Sequence, residues 1–368
     1  MGKNQSKDYL LDLLRIIATL LVVFGHCSFY QITVNSVMGV DWTSSIVDQT
    51  RFIALMNRLT ALVYSCHMEL FMFLSGMVFG YCLLNNKYPE FGKMARGKAG
   101  RLLVPYLTVT FLYNVPILIA TSYIRVSNWK ELIENIGLYF VGFGKNHLWY
   151  LPALFVITLL CYGLHRLVSR ARRSALIDWA VIICLLAVRS VFSYNIWEGL
   201  YLDRIVEYFV WFDLGRVLYG YREPLNRRIG SAKALLAAGT AAAWLAAFYM
   251  YSKRHLAVFE VFAALAGIAF CYVIALCGTN VFSGKPITKL LSAKSMAIYL
   301  YGVPINYVVV TVLLKTHPSI IMSEAGSAAL FFARFALQIL GALLVDFFVQ
   351  SCKKACLERG IFRKGRVR

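Results

Sequence analysis

"LDLLRIIATLLVVFGHCSFY", residues 10–29, has the length and apolar content of a membrane-spanning helix, yet it carries Asp12, Arg15 and His26 within that run. A bilayer core of roughly 30 Å requires about 20 such residues. Comparable stretches recur through the 368 residues, which are 60% hydrophobic with a mean hydropathy of +0.64. The sequence predicts an all-α fold, a polytopic membrane helical bundle forming a single domain over residues 1–368. Ten spans are expected, near 9–30, 59–84, 102–124, 147–167, 175–194, 203–221, 232–251, 257–279, 290–314 and 327–351.

Charge distribution gives the orientation. Of the 38 Lys and Arg residues, 25 fall in the two tails and the alternate loops that share their side, and 8 in the opposite loops. The other five, Arg15, Arg189, Arg204, Arg216 and Arg334, lie within spans. This bias predicts both termini in the cytoplasm. The net charge of +20 then reads as a positive-inside signature and a contact with anionic lipid, not with nucleic acid. The nine cysteines lie mostly in apolar runs without a Cys-x-x-Cys pair, so neither a disulfide framework nor a metal site is expected. Asp12 and Arg15 interrupt the first apolar run, and no small-residue cleavage site follows, which argues against a cleavable signal peptide. "MGKNQS" fits an amino-terminal myristoylation pattern, and Cys352 and Cys356 are candidates for palmitoylation, but ten spans need neither as an anchor.

Arg15 and His26 are eleven residues apart. At about 100° per residue they lie about 20° from whole turns, so both share one helix face with an axial separation of roughly 16 Å. Asp12, three residues before Arg15, shares that face and can pair with it. The set is either a structural ion pair plus a packed histidine or the lining of a pathway, and buried ionisable groups in spans favour the second. The next span, "YSCHMELFMFLSGMVFGYC", places His67 at a depth near that of His26. Glu69 points to a different face, and Ser75-Gly76 lies deeper, where a helix or a ligand can approach closely. "KNHLWYLPALFV", residues 145–156, brings His147, Trp149 and Tyr150 to the outer interface. That group reads either as an aromatic belt or as the grip on a sugar acceptor. Glu207, Asp213 and Asp346 join the intramembrane arginines as candidate ion pairs, Asp213 with Arg216 one turn later for instance.

On the basic side, "KMARGKAGRLLVPYL", residues 93–107, interleaves Lys93, Arg96, Lys98 and Arg101 with Gly97 and Gly100, after Gly92. Such a segment either satisfies the positive-inside rule alone or also wraps phosphates.

Three of these stretches resemble the acyltransferase-3 family of integral membrane acyltransferases, which modify extracytoplasmic glycans. "LDLLRIIATLLVVFGH" is similar to the family's first helix, with Asp12, Arg15 and His26 in its spacing. "CHMELFMFLSGMVFGY" and "HLWYLPALFVI" resemble the exopolysaccharide and fucose O-acetylase-like branch. Departures are Glu69, where that branch carries proline, and Gly302 in "SAKSMAIYLYGVPI", where a histidine often stands. The basic pair of the family's cytoplasmic loop is matched at best by Lys98 and Arg101.

The resemblance implies a multi-pass protein of a bacterial inner membrane that moves an acyl group, acetyl first among the candidates, from cytoplasmic acyl-CoA to a glycan or lipid-linked sugar hydroxyl. It implies His26 as general base, with Arg15 and Asp12 along the donor channel. Lys98, Arg101 and Arg96 would hold the nucleotide end of acetyl-CoA, with Ser75 along its path. His67, Glu69, His147 and Trp149 would meet the acceptor. Membrane lipids are expected partners, and a homo-oligomer is compatible with the sequence. A transporter or flippase for a sugar-containing substrate is the competing class, since buried histidines suit proton coupling equally well.

Overall fold

The computed structural model describes residues 8–28, 31–34, 40–43, 50–121, 128–140, 147–171, 174–191, 199–230 and 232–358. Among these, thirteen α-helices build an all-α polytopic membrane bundle, and one hairpin pairs β1 (Gln31–Val34) with β2 (Val40–Thr43) in antiparallel register. The helices are α1 (Tyr9–Cys27), α2 (Arg51–Tyr64), α3 (His67–Leu84), α4 (Phe91–Val109), α5 (Val115–Ala120), α6 (Trp129–Phe140), α7 (Tyr150–Val168), α8 (Ser174–Val191), α9 (Leu202–Ile229), α10 (Lys233–Arg254), α11 (Ala257–Phe282), α12 (Pro286–Thr316) and α13 (Glu324–Glu358).

Among the described residues, eight helical stretches are long and apolar enough to cross a bilayer. They run over Tyr9–Cys27, Arg51–Leu84, Phe91–Ala120, His147–Val168, Lys233–Arg254, Ala257–Phe282, Pro286–Leu313 and Glu324–Ala355. The other two expected spans coincide with α8 and α9. Helix α9 carries nine charged side chains, and the buried ones, Asp213 and Arg216, are answered inside the bundle. Arg216 reaches Asp213 at 2.6 Å and Asp178 of α8 at 2.5 Å, the first being the pair the spacing predicts. Lys294 of α12 likewise meets Asp346 of α13 at 2.6 Å.

Glycines set the closest crossing. A Cβ on Gly76 of α3 would lie 1.8 Å from the Phe212 carbonyl oxygen of α9. One on Gly215 of α9 would lie 1.9 Å from the Phe73 carbonyl oxygen of α3, and Gly80 would meet the Arg216 oxygen at 2.6 Å. The two helices touch through their backbones, as small-residue interfaces permit in membranes. The neighbour that Ser75-Gly76 admits is therefore a helix.

Two local predictions are revised. The expected continuous span over 59–84 is broken: α2 ends at Tyr64 and α3 begins at His67. Ser65 in the break donates its hydroxyl to the Leu62 carbonyl at 2.7 Å and accepts from Trp244 Nε1 of α10 at 2.9 Å, so a local turn and a distant indole together hold the interruption. Uniform apolarity conceals such a break, because hydropathy carries no information about backbone direction. The basic residues of 93–101, expected in the loop before the span at 102–124, lie instead on α4, which begins at Phe91. Lys93, Met94, Ala95, Arg96, Lys98, Ala99 and Arg101 favour the helix there and outweigh the interleaved glycines.

Candidate active site

Helix α1 places the first set. Arg15 Nη1 contacts Asp12 Oδ1 at 3.4 Å, and Ser292 Oγ of α12 bridges them, donating to Asp12 at 2.5 Å and accepting from Arg15 at 3.0 Å. The Arg15 side chain keeps a third of its surface exposed, so the guanidinium is held and still reachable. It lies within electrostatic range of the Tyr150 hydroxyl, which itself sits 2.5 Å from Ser75 Oγ.

His26 lies in the last turn of α1, where backbone carbonyls lack helical partners. Its carbonyl is capped by two buried side chains from far along the chain: Asn306 Nδ2 of α12 donates at 2.6 Å and Arg334 Nη2 of α13 at 3.0 Å. Arg334 Nε also donates to Asn306 Oδ1 at 2.7 Å, so the three residues form one clamp. Both clamp residues are fully buried. The clamp predicts a measurable dependence: Asn306→Leu, nearly isosteric, should cost about 1–3 kcal/mol of stability in a denaturation series by leaving buried polar groups unmatched.

His26 lies within electrostatic range of His147, His67 and Arg334, so the structure brings all three predicted histidines into one group. Tyr64 stacks on His67 with centroids 4.6 Å apart, and the same ring presses on Gly25, where a Cβ would lie 2.4 Å from Tyr64 Cε1. His147 opens a 3-10 turn ahead of α7, and its backbone carbonyl accepts a short hydrogen bond from the Tyr299 hydroxyl.

A family profile described as Acyltransferase domain matches residues 8–346, almost the entire chain. The chain belongs to the acyltransferase-3 family. No curated protein and no solved structure matches it. It is a membrane acyltransferase, and this membership favours the enzyme over the transporter reading.

Not all predicted residues of this acyltransferase join the histidine group. Glu69 is buried among different partners: it lies within electrostatic range of Arg189, Glu207 and Glu260, and its Oε2 has no hydrogen-bond partner among the described residues. Arg189 binds Glu260 at 2.9 Å and Glu207 at 3.4 Å, pairings across helices that sequence alone left unassigned. Trp149 belongs beside this second group. Arg204 lies over its ring at 5.2 Å and Tyr208 packs at 5.2 Å, so much of the surface expected to stack on a sugar is already in contact. At the basic end, Lys98 lies over Phe79 and Tyr88, at 5.9 and 5.7 Å from their centroids, while Arg96 and Arg101 are exposed. Among the described residues, a Cβ at Gly92, Gly97 or Gly100 would meet nothing within 4 Å.

Between the levels of Arg15 and His26 lies a cavity of about 10 Å³, lined by Thr19, Val22, Phe71, Ile298, Tyr299 and Val303 among others. That is room for about one water molecule. At this level the wall of α1 is close-packed and mostly apolar. Sequence reasoning missed Ser292, Tyr299 and Asn306, whose signal was a polar or hydroxyl group inside an otherwise apolar span.

Proposed function

We propose that this acyltransferase moves a short acyl group, acetyl first among the candidates, from cytoplasmic acyl-CoA to a hydroxyl of an extracytoplasmic glycan or lipid-linked sugar. In this reading it belongs to the exopolysaccharide and fucose O-acetylase-like branch and lies in a bacterial inner membrane with ten crossings and both ends in the cytoplasm. The observation that carries the proposal is the grouping of His26, His67 and His147 at one end of α1, with the Ser292-bridged Arg15–Asp12 pair toward the other.

The nucleotide end of the donor docks on the open basic surface around Arg96, Lys98 and Arg101. The pantetheine arm is long enough for the roughly 16 Å from Arg15 to His26. Because the gap between them holds about one water, Phe71, Tyr299 and Val303 move aside as the arm enters. Arg15 neutralises donor charge on the way. The His26 imidazole takes the hydroxyl proton as the acceptor oxygen attacks the thioester carbonyl, the C–S bond breaks, and the departing thiolate takes a proton in return. His67 orients the acceptor.

The test is transfer by purified protein in lipid vesicles supplied with isotopically labelled acetyl-CoA and a glycan acceptor. Label is expected on the acceptor, with free CoA released in equal amount. Failure of the protein to bind or turn over acetyl-CoA or succinyl-CoA overturns the reading.

A further inference from the structure

Helix α12 contains Pro304 at an interior position. Proline has no backbone N–H, so the carbonyl four residues earlier, on Leu300, loses its helical partner. In this bundle that carbonyl is contacted by a side chain from another element: His147 Nε2 lies 3.4 Å from the Leu300 oxygen. A carbonyl can only accept, so Nε2 carries the proton, and because burial disfavours a charged ring, the neutral form leaves Nδ1 bare. His147 is 7% exposed, and its Nδ1 is buried with no hydrogen-bond partner among the described residues. A lone pair in that state is costly unless it has a use.

The surroundings hold His147 in place from its backbone as well. The Tyr299 hydroxyl donates to the His147 carbonyl and takes the N–H of Tyr150 at the start of α7, where helix donors lack partners of their own. One turn of α12, from Tyr299 to Pro304, therefore fixes the position of His147 and the placement of its proton.

We propose that Pro304 is a positioning residue that sets the tautomer of His147, and that the bare Nδ1 of His147 is the proton relay partner of His26. The inference rests on the acyl-transfer reading given above. The proton leaving the acceptor hydroxyl passes to His26 and from there to His147 Nδ1. It returns by the same route to the CoA thiolate when the C–S bond breaks, so no proton is gained or lost over the cycle.

Two measurements on the full chain test this. In the first, nitrogen NMR of ring-labelled histidine identifies the His147 signals by their absence in His147→Gln. A protonated Nε2 with a bare Nδ1 is expected in the parent. In Pro304→Ala, which returns an N–H to the Leu300 carbonyl, a mixture of tautomers is expected. A protonated Nδ1 in the parent overturns the proposal whether or not the protein transfers acyl groups. The second measurement is steady-state acyl transfer. Glutamine retains an amide donor where Nε2–H stood but offers no base, so both His147→Ala and His147→Gln should lose at least about tenfold in kcat with donor KM unchanged. Pro304→Ala should lose a smaller share, also in kcat. Recovery of parental turnover in His147→Gln, with the Ala variant inactive, identifies a purely structural anchor and overturns the relay. A parent that transfers no acyl group removes the functional reading instead, and the tautomer is still decided by the first measurement.

Discussion

His26→Ala is expected to lower acyl transfer by about 10²–10⁴-fold, the range a well-placed general base contributes. The variant should fold, because the groups that hold this part of α1 bind the backbone carbonyl of residue 26, which alanine keeps: Asn306 at 2.6 Å and Arg334 at 3.0 Å. The measurement is turnover of labelled acetyl-CoA by protein whose elution profile and thermal midpoint match the parent. Parental turnover in such a preparation would show that the base lies elsewhere. The variant also separates binding from chemistry. Donor affinity, which the proposed function assigns to the basic end and Arg15, should stay within about threefold, since uniform binding and transition-state contacts report on different kinetic constants.

The second large effect is structural. Gly76→Val should prevent stable assembly, because its Cβ would lie 1.8 Å from the Phe212 carbonyl oxygen. Overpacking typically costs about 1–3 kcal/mol when side chains can rearrange, and a backbone oxygen on a rigid helix leaves no such escape. Helices α3 and α9 would have to separate along their length, dragging the Asp213–Arg216 pair with α9. Gly97→Ala is the matched control. None of the described residues lies within 4 Å of its new Cβ, and replacing a glycine within a helix should stabilise by up to about 1 kcal/mol. Thermal melts in detergent, read side by side, should move in opposite directions. Equal behaviour of the two variants would mean that the α3–α9 crossing is looser than described.

The periodicity of α1 was readable because it is local: eleven residues at 100° each put Arg15 and His26 on one face without reference to any neighbour. Asp213–Arg216 and Asp12–Arg15, three residues apart, were readable for the same reason. The clamp on His26 was not, since Asn306 and Arg334 lie 280 and 308 residues away in sequence, and no local rule couples them. Glu69 was legible as a polar intruder on a face distinct from that of His67. Its environment of Arg189, Glu207 and Glu260 needed three other helices to be placed first. Pro304 could be seen in the sequence, but its meaning lies in the carbonyl it releases and in the ring that takes up that carbonyl.

The one-water gap on the α1 wall also bears on the membrane itself. A hydrated ion is too wide for such a neck, and the mostly hydrocarbon lining disfavours a file of water through it. Along this stretch of the α1 wall, then, the closed apolar side chains oppose ion leak beside the helix.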